Sequence, residues 1–295
     1  MIQIVKPPDS TADRQPFSVE TAQLIGRSLA YVENAFSGKS AARKLAVLSL
    51  LAAPPLAFLW VALRPNPRQI WAMRWPTITF LGLYQIALDR CVEIEGLQNL
   101  PESGPVILAG NHINKTAMDG MLLGSKVLTQ RGVPAKWVSI ADPPSWMLRQ
   151  FVRIMGQAEG ALLPVHKGMT TKKMIEFLQN PKEFQRHQPI LGIFPVGDAD
   201  RDFTRHMAKP WHSSVAVAAV ETAAPIVPFY LEGLPYEWGP LDMLKAVAQA
   251  LVGGNPFTFK IRLGAAIYPT LLKRERNYKA ITERLRLAVR NLSKA

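Results

Sequence analysis

The chain has a single cysteine, Cys91, in 295 residues. That excludes an intramolecular disulfide framework and a cysteine-built zinc site. Charge is scarce too, with Asp, Glu, Lys and Arg making up 19% of the sequence. Acid is the scarcer sign: 22 Asp and Glu face 35 Lys and Arg, a formal charge of +13. The balance excludes an acidic protein and points to an anionic partner, whether phosphate, nucleic acid or a membrane surface. None of the five histidines has a partner in H-x-x-x-H spacing, and there is no internal repeat or low-complexity tract. What is plentiful is apolar surface, at 48% of residues. A chain of this size and composition can bury a sizeable core, so a disordered or collagen-like protein is excluded. It is long enough for one large α/β domain with an appendage.

The missing acid is unevenly distributed. No Asp or Glu occurs from Asn34 to Leu88, whereas Lys39, Arg43, Lys44, Arg64, Arg68 and Arg74 all fall there. Between Lys44 and Arg64 run 19 uncharged residues, LAVLSLLAAPPLAFLWVAL. The length is marginal for a membrane span, and Pro54-Pro55 at its centre breaks the backbone ladder where lipid offers no substitute partner. The reading is two short apolar helices forming a membrane-associating hairpin, with Trp60, Trp71 and Trp75 at the membrane–water boundary. A buried core hairpin is the alternative. The run starts too late for a signal peptide.

Three regions follow from the texture of the chain. Residues 1–17 form a polar, flexible tail, and residues 18–89 hold N-terminal helices, including the hairpin. Residues 90–295 form an α/β domain. Within it, short apolar runs at 91, 105, 136, 161, 189, 225 and 258 alternate with helix-length segments near 117–131, 143–156, 169–179, 211–223 and 240–252. That rhythm predicts a mostly parallel or mixed sheet flanked by helices. The last helix, about 276–293, places Ile281, Leu285, Ala288 and Leu292 on one face. Residues 273–294 carry eight Lys or Arg against two Glu, so its outer face is either a second membrane-facing surface or simply solvated.

In such sheets chemistry gathers at the carboxyl ends of strands, and three loops there stand out. In PVILAGNHINKTAMDG a strand runs into Asn111-His112, with Asp119 a few residues on. A histidine paired with a carboxylate suits general-base chemistry. Thr116-Ala-Met-Asp119 also reads as a helix capping box, which would make Asp119 an ordinary first-turn carboxylate. In ALLPVHKGMTTKKM a strand delivers His166 and Lys167 beside Gly168, a setting for an anionic group, while Lys172 and Lys173 read as a solvated helix face. In GIFPVGDADRDFTRHMAK a strand breaks at Phe194-Pro195-Val196-Gly197 into a charged loop. Its Asp198, Asp200 and Asp202 lack the glycine and closing glutamate of a calcium loop.

These blocks, in this order, resemble the glycerolipid acyltransferases of the lysophosphatidate and glycerol-3-phosphate acyltransferase family over about residues 91–235. VEIEGLQNLPESGPVILAGNH is similar to the family's entry segment, and GQAEGALLPVHKG stands at its G-x-I-F-V-x-R. FPVG stands at F-P-E-G-T-R, and KPWHSSVAVAAVETAAPIVPF resembles its K-x-G…P-I-V-P block. The resemblance implies a membrane-associated O-acyltransferase on the cytoplasmic face. It would move a fatty acyl group from acyl-CoA or acyl carrier protein to a lipid hydroxyl, with membrane lipids as partners and no metal or redox cofactor; no nucleic acid is expected, because the basic residues lie largely beside apolar helices and not interleaved with aromatics on a sheet. It further implies His112 and Asp119 as the catalytic pair. Asn111, Lys115, Thr116, His166, Lys167, Pro195, Val196, Gly197, Arg201 and Lys209 would surround the acceptor, and backbone N–H groups of the FPVG turn are candidates for the oxyanion.

Two departures bear on this. The family spaces His and Asp by four residues; here that place is Ala117, and Asp119 comes two later. On one continuous helix His112 and Asp119 would stand about 10 Å apart, so His112 must lie in a loop that bulges. If Thr116 caps the helix the pair survives; if Asn114 caps it, Ala117 replaces the acid. Secondly, the F-P-E-G glutamate is Val196. That leaves the acceptor open between a lysophospholipid such as lysophosphatidate and a phosphate-free lipid alcohol. It also leaves a non-catalytic lipid-binding relative as the alternative.

Overall fold

The computed structural model describes residues 91–131, 135–141, 162–179, 189–239, 257–269 and 277–294, with Arg149, Asp242, Lys245, Ala246, Gln249 and Ala250. The expected tail, the hairpin with its tryptophans, the 143–156 helix and most of 240–252 lie outside the described residues. No helix among the described residues is long and apolar enough to cross a membrane.

All seven apolar runs form strands of one sheet: β1 (Val92–Glu95), β2 (Val106–Gly110), β3 (Ala135–Ile140), β4 (Leu162–Val165), β5 (Ile190–Ile193), β6 (Ile226–Glu232) and β7 (Phe259–Leu263). Their order is β1-β7-β6-β2-β5-β3-β4. The five strands from β6 to β4 are mutually parallel, β7 runs antiparallel to β6, and β1 is parallel to β7. The sheet is therefore mixed, within the range the sequence allows.

Five helices are described: α1 (Met118–Arg131), α2 (Thr170–Gln179), α3 (Phe203–Ala208), α4 (Ser214–Thr222) and α5 (Tyr278–Leu292). The alternation of strand side chains explains the two cores. Val106 and Leu108 of β2 join Leu122, Leu123 and Val127 of α1 on one face. Ile107 and Ala109 meet α2, α4 and α5 on the other. A strand covered on both faces reads as a continuous apolar run, which is why VILAG was easy to find. The buried stripe of α5 is Ile281, Leu285 and Val289; Ala288 and Leu292 are half-buried beside it. Cys91 is buried just before β1, and burial pushes its thiol pKa up, so it behaves as a small core residue.

Trp137 of β3 fits against glycines. A Cβ at Gly192 would fall 2.6 Å from the indole, and one at Gly124 would fall 2.9 Å from its Nε1. The indole then stacks on Phe194 at 5.1 Å between ring centroids, and Phe229 of β6 abuts both rings edge-on. This aromatic layer reaches the carboxyl end of β2.

The chain leaves β2 for β3 on one side and leaves β5 for β6 across the other. The loops after β2, β5 and β6 consequently converge at the carboxyl end of the central strand, the place where open α/β sheets bind ligands.

Candidate active site

Asn111 directly follows β2, and its side chain is committed to structure. Its Nδ2 donates to the Leu231 carbonyl and its Oδ1 accepts from the Leu231 N–H, both at 2.8 Å. This double bond across to β6 fixes the height at which His112 leaves the sheet.

His112 Nδ1 lies 2.8 Å from Asp119 Oδ2. The imidazole stacks on Phe194 with centroids 4.0 Å apart and planes 9° from parallel. Asp119 is fully buried in the first turn of α1. Its carboxylate also accepts the N–H groups of Ile113 (2.8 Å), Asn114 (3.3 Å) and Gly120 (2.9 Å). A carboxylate so enclosed by donors holds its orientation. With Nδ1–H on a carboxylate, the neutral imidazole presents an unprotonated Nε2, the state a general base needs.

The capping expectation for Thr116 needs correction. Asn114, not Thr116, organises the helix entry: its Oδ1 accepts the N–H of Thr116 and of Met118, both at 3.1 Å. The Thr116 hydroxyl instead lies 2.8 Å from Asn114 Oδ1 and from the Trp238 carbonyl. Yet the pair is not lost. Ala117 takes a left-handed conformation, φ +59°, within the turn between His112 and Asp119, and the two side chains still meet. Such a conformation disfavours a Cβ, so the surroundings must impose it. They do: Asn114 Nδ2 donates to the carbonyls of Pro235 and Trp238 at 2.9 Å, and Lys115 N–H to that of Tyr236 at 3.2 Å. The segment 235–238 after β6 thus supports the loop, a role that no motif announces.

Of the remaining candidates, Pro195 and Val196 are buried, with Val196 in the core beside α3 and α4. Gly197, at φ +87°, turns the chain, and its N–H bonds the Phe194 carbonyl at 2.9 Å. That N–H is therefore not available to an oxyanion. Lys115 pairs with Glu237, holding the Glu237 carboxyl below its usual range. Arg201 lies over the Tyr236 ring at 5.4 Å and lines a 190 Å³ cavity with Asn111, Ile113, Phe203, Tyr230 and Glu232. Burial and a bond to Glu232 push Tyr230 up to about 12, so its hydroxyl stays protonated. Lys209 pairs with Asp200 at 3.0 Å. His166 and Lys167 are exposed after β4, at the same edge of the sheet but three strands from β2, about 14 Å away across the ladder. Lys172 and Lys173 pair with Glu176 on α2, as a solvated face does.

The loop after β5 holds two groups whose parts the sequence did not reveal. Asp200 is buried, and the Arg205 guanidinium holds its carboxyl far below the usual range, helped by Asp202 N–H and Lys209. His206 is buried at 1% exposure, and burial, with His112 and Lys209 nearby, holds its pKa down to about 4. Between pH 6.5 and 4 the unfolded chain takes up a proton that folded His206 refuses. Stability therefore falls as pH drops through that window, by about 3 kcal/mol at its lower end. Denaturant unfolding at pH 7 and 4.5 should show this loss in the wild type and its reduction in His206→Gln.

Residues 91–232 match the family model described as Acyltransferase. These residues are an acyltransferase-family domain. The matched span runs from the residue before β1 to the end of β6. It contains His112, Asp119, the FPVG turn and the Asp200–Lys209 loop, and it agrees with the resemblance drawn from the motifs. No curated protein matches the chain.

Proposed function

We propose that this acyltransferase domain moves a fatty acyl group from an acyl thioester, acyl-CoA or acyl carrier protein, to the hydroxyl of a membrane lipid. The observation that carries the reading is the 2.8 Å bond between His112 and Asp119 within an acyltransferase-family domain. His112 Nε2 takes the hydroxyl proton as the oxygen attacks the thioester carbonyl. The new C–O bond forms, the C–S bond breaks, and the proton passes from the imidazolium to the departing thiolate. Asp119 holds the ring and offsets its transient charge. Phe194 fixes the ring plane from below. The apolar hairpin would hold the domain at the cytoplasmic face of the membrane, where a lipid alcohol enters without crossing water.

The acceptor is a lipid alcohol without a phosphomonoester. What supports this is the disposition of cations: Arg205 and Lys209 are engaged by Asp200, and Lys115 by Glu237. Among the described residues that line the cavity Arg201 is the one cation, and it shares the lining with Glu232 and two tyrosines. A phosphate dianion would meet a carboxylate there, whereas hydroxyl groups suit such a lining. The test is thiol release from palmitoyl-CoA and palmitoyl-acyl carrier protein with lysophosphatidate, glycerol-3-phosphate, monoacylglycerol and a glycosylated lipid alcohol. A phosphate-free acceptor should give the highest kcat/KM. Lysophosphatidate as the best acceptor would contradict the assignment. Lipid binding without release for any acceptor would favour the non-catalytic relative.

A further inference from the structure

The backbone of His112 is gripped by one loop on both sides. Asp200 N–H donates to the His112 carbonyl at 2.9 Å, and His112 N–H points at His206 Nε2 at 3.4 Å. The loop is itself pinned. Asp200 Oδ2 accepts from Arg205 Nε at 2.8 Å and from Lys209 Nζ at 3.0 Å, while Oδ1 accepts Asp202 N–H at 3.1 Å. Asp202 caps α3 through the Arg205 N–H at 3.0 Å, and Arg286 of α5 donates its Nε–H to the Met207 carbonyl at 2.8 Å.

His206 is a costly residue for packing alone. It is buried, and its Nδ1 finds no hydrogen-bond partner among the described residues. A leucine of similar volume would remove the orphaned Nδ1 but leave the His112 N–H without its acceptor. What a histidine adds is an acceptor at Nε2, facing the one N–H that precedes the catalytic imidazole.

We infer that His206 is a positioning residue: a second, non-reacting histidine that holds the peptide of His112 so that its imidazole meets both Asp119 and the acceptor hydroxyl. The inference rests on the reading of His112 as the base. His206 touches no substrate in this account; it acts through the backbone. The Asp200–Lys209 loop therefore serves as a clamp, with the Asp200 ion pairs as its pin.

The test compares His206→Leu, which fills the site without an acceptor, with His206→Gln, whose side-chain oxygen reaches the place of Nε2. Two readouts are taken on the full chain: hydrogen–deuterium exchange at the His112 amide, and kcat and KM for thiol release from palmitoyl-CoA with the best acceptor. His206→Leu should speed exchange at His112 about tenfold and lower kcat about tenfold with KM within about twofold. His206→Gln should restore both. Should the leucine variant not fold, His206→Asn takes its place, because its shorter side chain leaves the acceptor out of reach. Unchanged exchange at His112, or equal losses in the glutamine and acceptor-less variants, would overturn the inference. A wild-type protein without acceptor-dependent release would instead sink the reading of His112 as base, and the exchange data would still decide whether His206 holds its peptide.

Discussion

Replacing His112 by alanine is expected to lower acceptor-dependent kcat by about 10³-fold while the protein still folds, because the base is lost and the sheet beneath it is not. Asp119→Asn should cost about 10²-fold or more. An asparagine amide can turn an N–H toward Nδ1, which favours the tautomer whose Nε2 carries the proton and cannot accept another. The substitution also weakens the bonds that Asp119 accepts from Ile113 and Asn114. Circular dichroism of both variants, with steady-state thiol release, separates the kinetic loss from misfolding. The two losses should combine sub-additively in the double variant, since the residues act as one unit.

Gly110→Ala is expected to give a large loss of stability. Gly110 pairs with Phe229 in the register of β2 and β6. A Cβ there would fall 2.1 Å from the Phe229 carbonyl oxygen and 2.4 Å from its ring. Neither neighbour can retreat cheaply, as the carbonyl belongs to a central strand and the ring to the aromatic layer under His112. Relief requires prising the end of β2 from β6, at a cost of about 3 kcal/mol or more. A thermal melt should fall by about 6–12 °C. The same movement strains the Asn111–Leu231 bonds, so residual folded protein should also turn over more slowly.

The sequence disclosed the central strands β2, β5 and β6 because each is an apolar run bounded by turn residues and buried on both faces. It did not disclose that β7 reverses direction: FKIRL alternates apolar and charged residues, and direction leaves no mark in composition. The short α3 was hidden in a loop whose polar residues read as irregular. The His112–Asp119 pair was visible through its motif, but the way the loop closes was not. With ordinary right-handed geometry, Asn114 as cap would dissolve the pair. The left-handed Ala117 makes the cap and the pair compatible, and what imposes it is a set of carbonyls more than 120 residues further on. His206 was illegible for the same reason, since it meets His112 across 94 residues. Lys209, expected to face an acceptor, is paired with Asp200 because burial of that carboxylate demands counter-charge.

The account stands on His112 acting as the base for acyl transfer despite the lengthened interval to Asp119. The most direct test is transfer of a radiolabelled acyl group from acyl-CoA or acyl carrier protein to the lipid alcohol, for wild type and His112→Ala side by side. Labelled ester formed by the wild type and lost by about 10³-fold in the variant is the predicted result. Equal ester formation by the two proteins would contradict it.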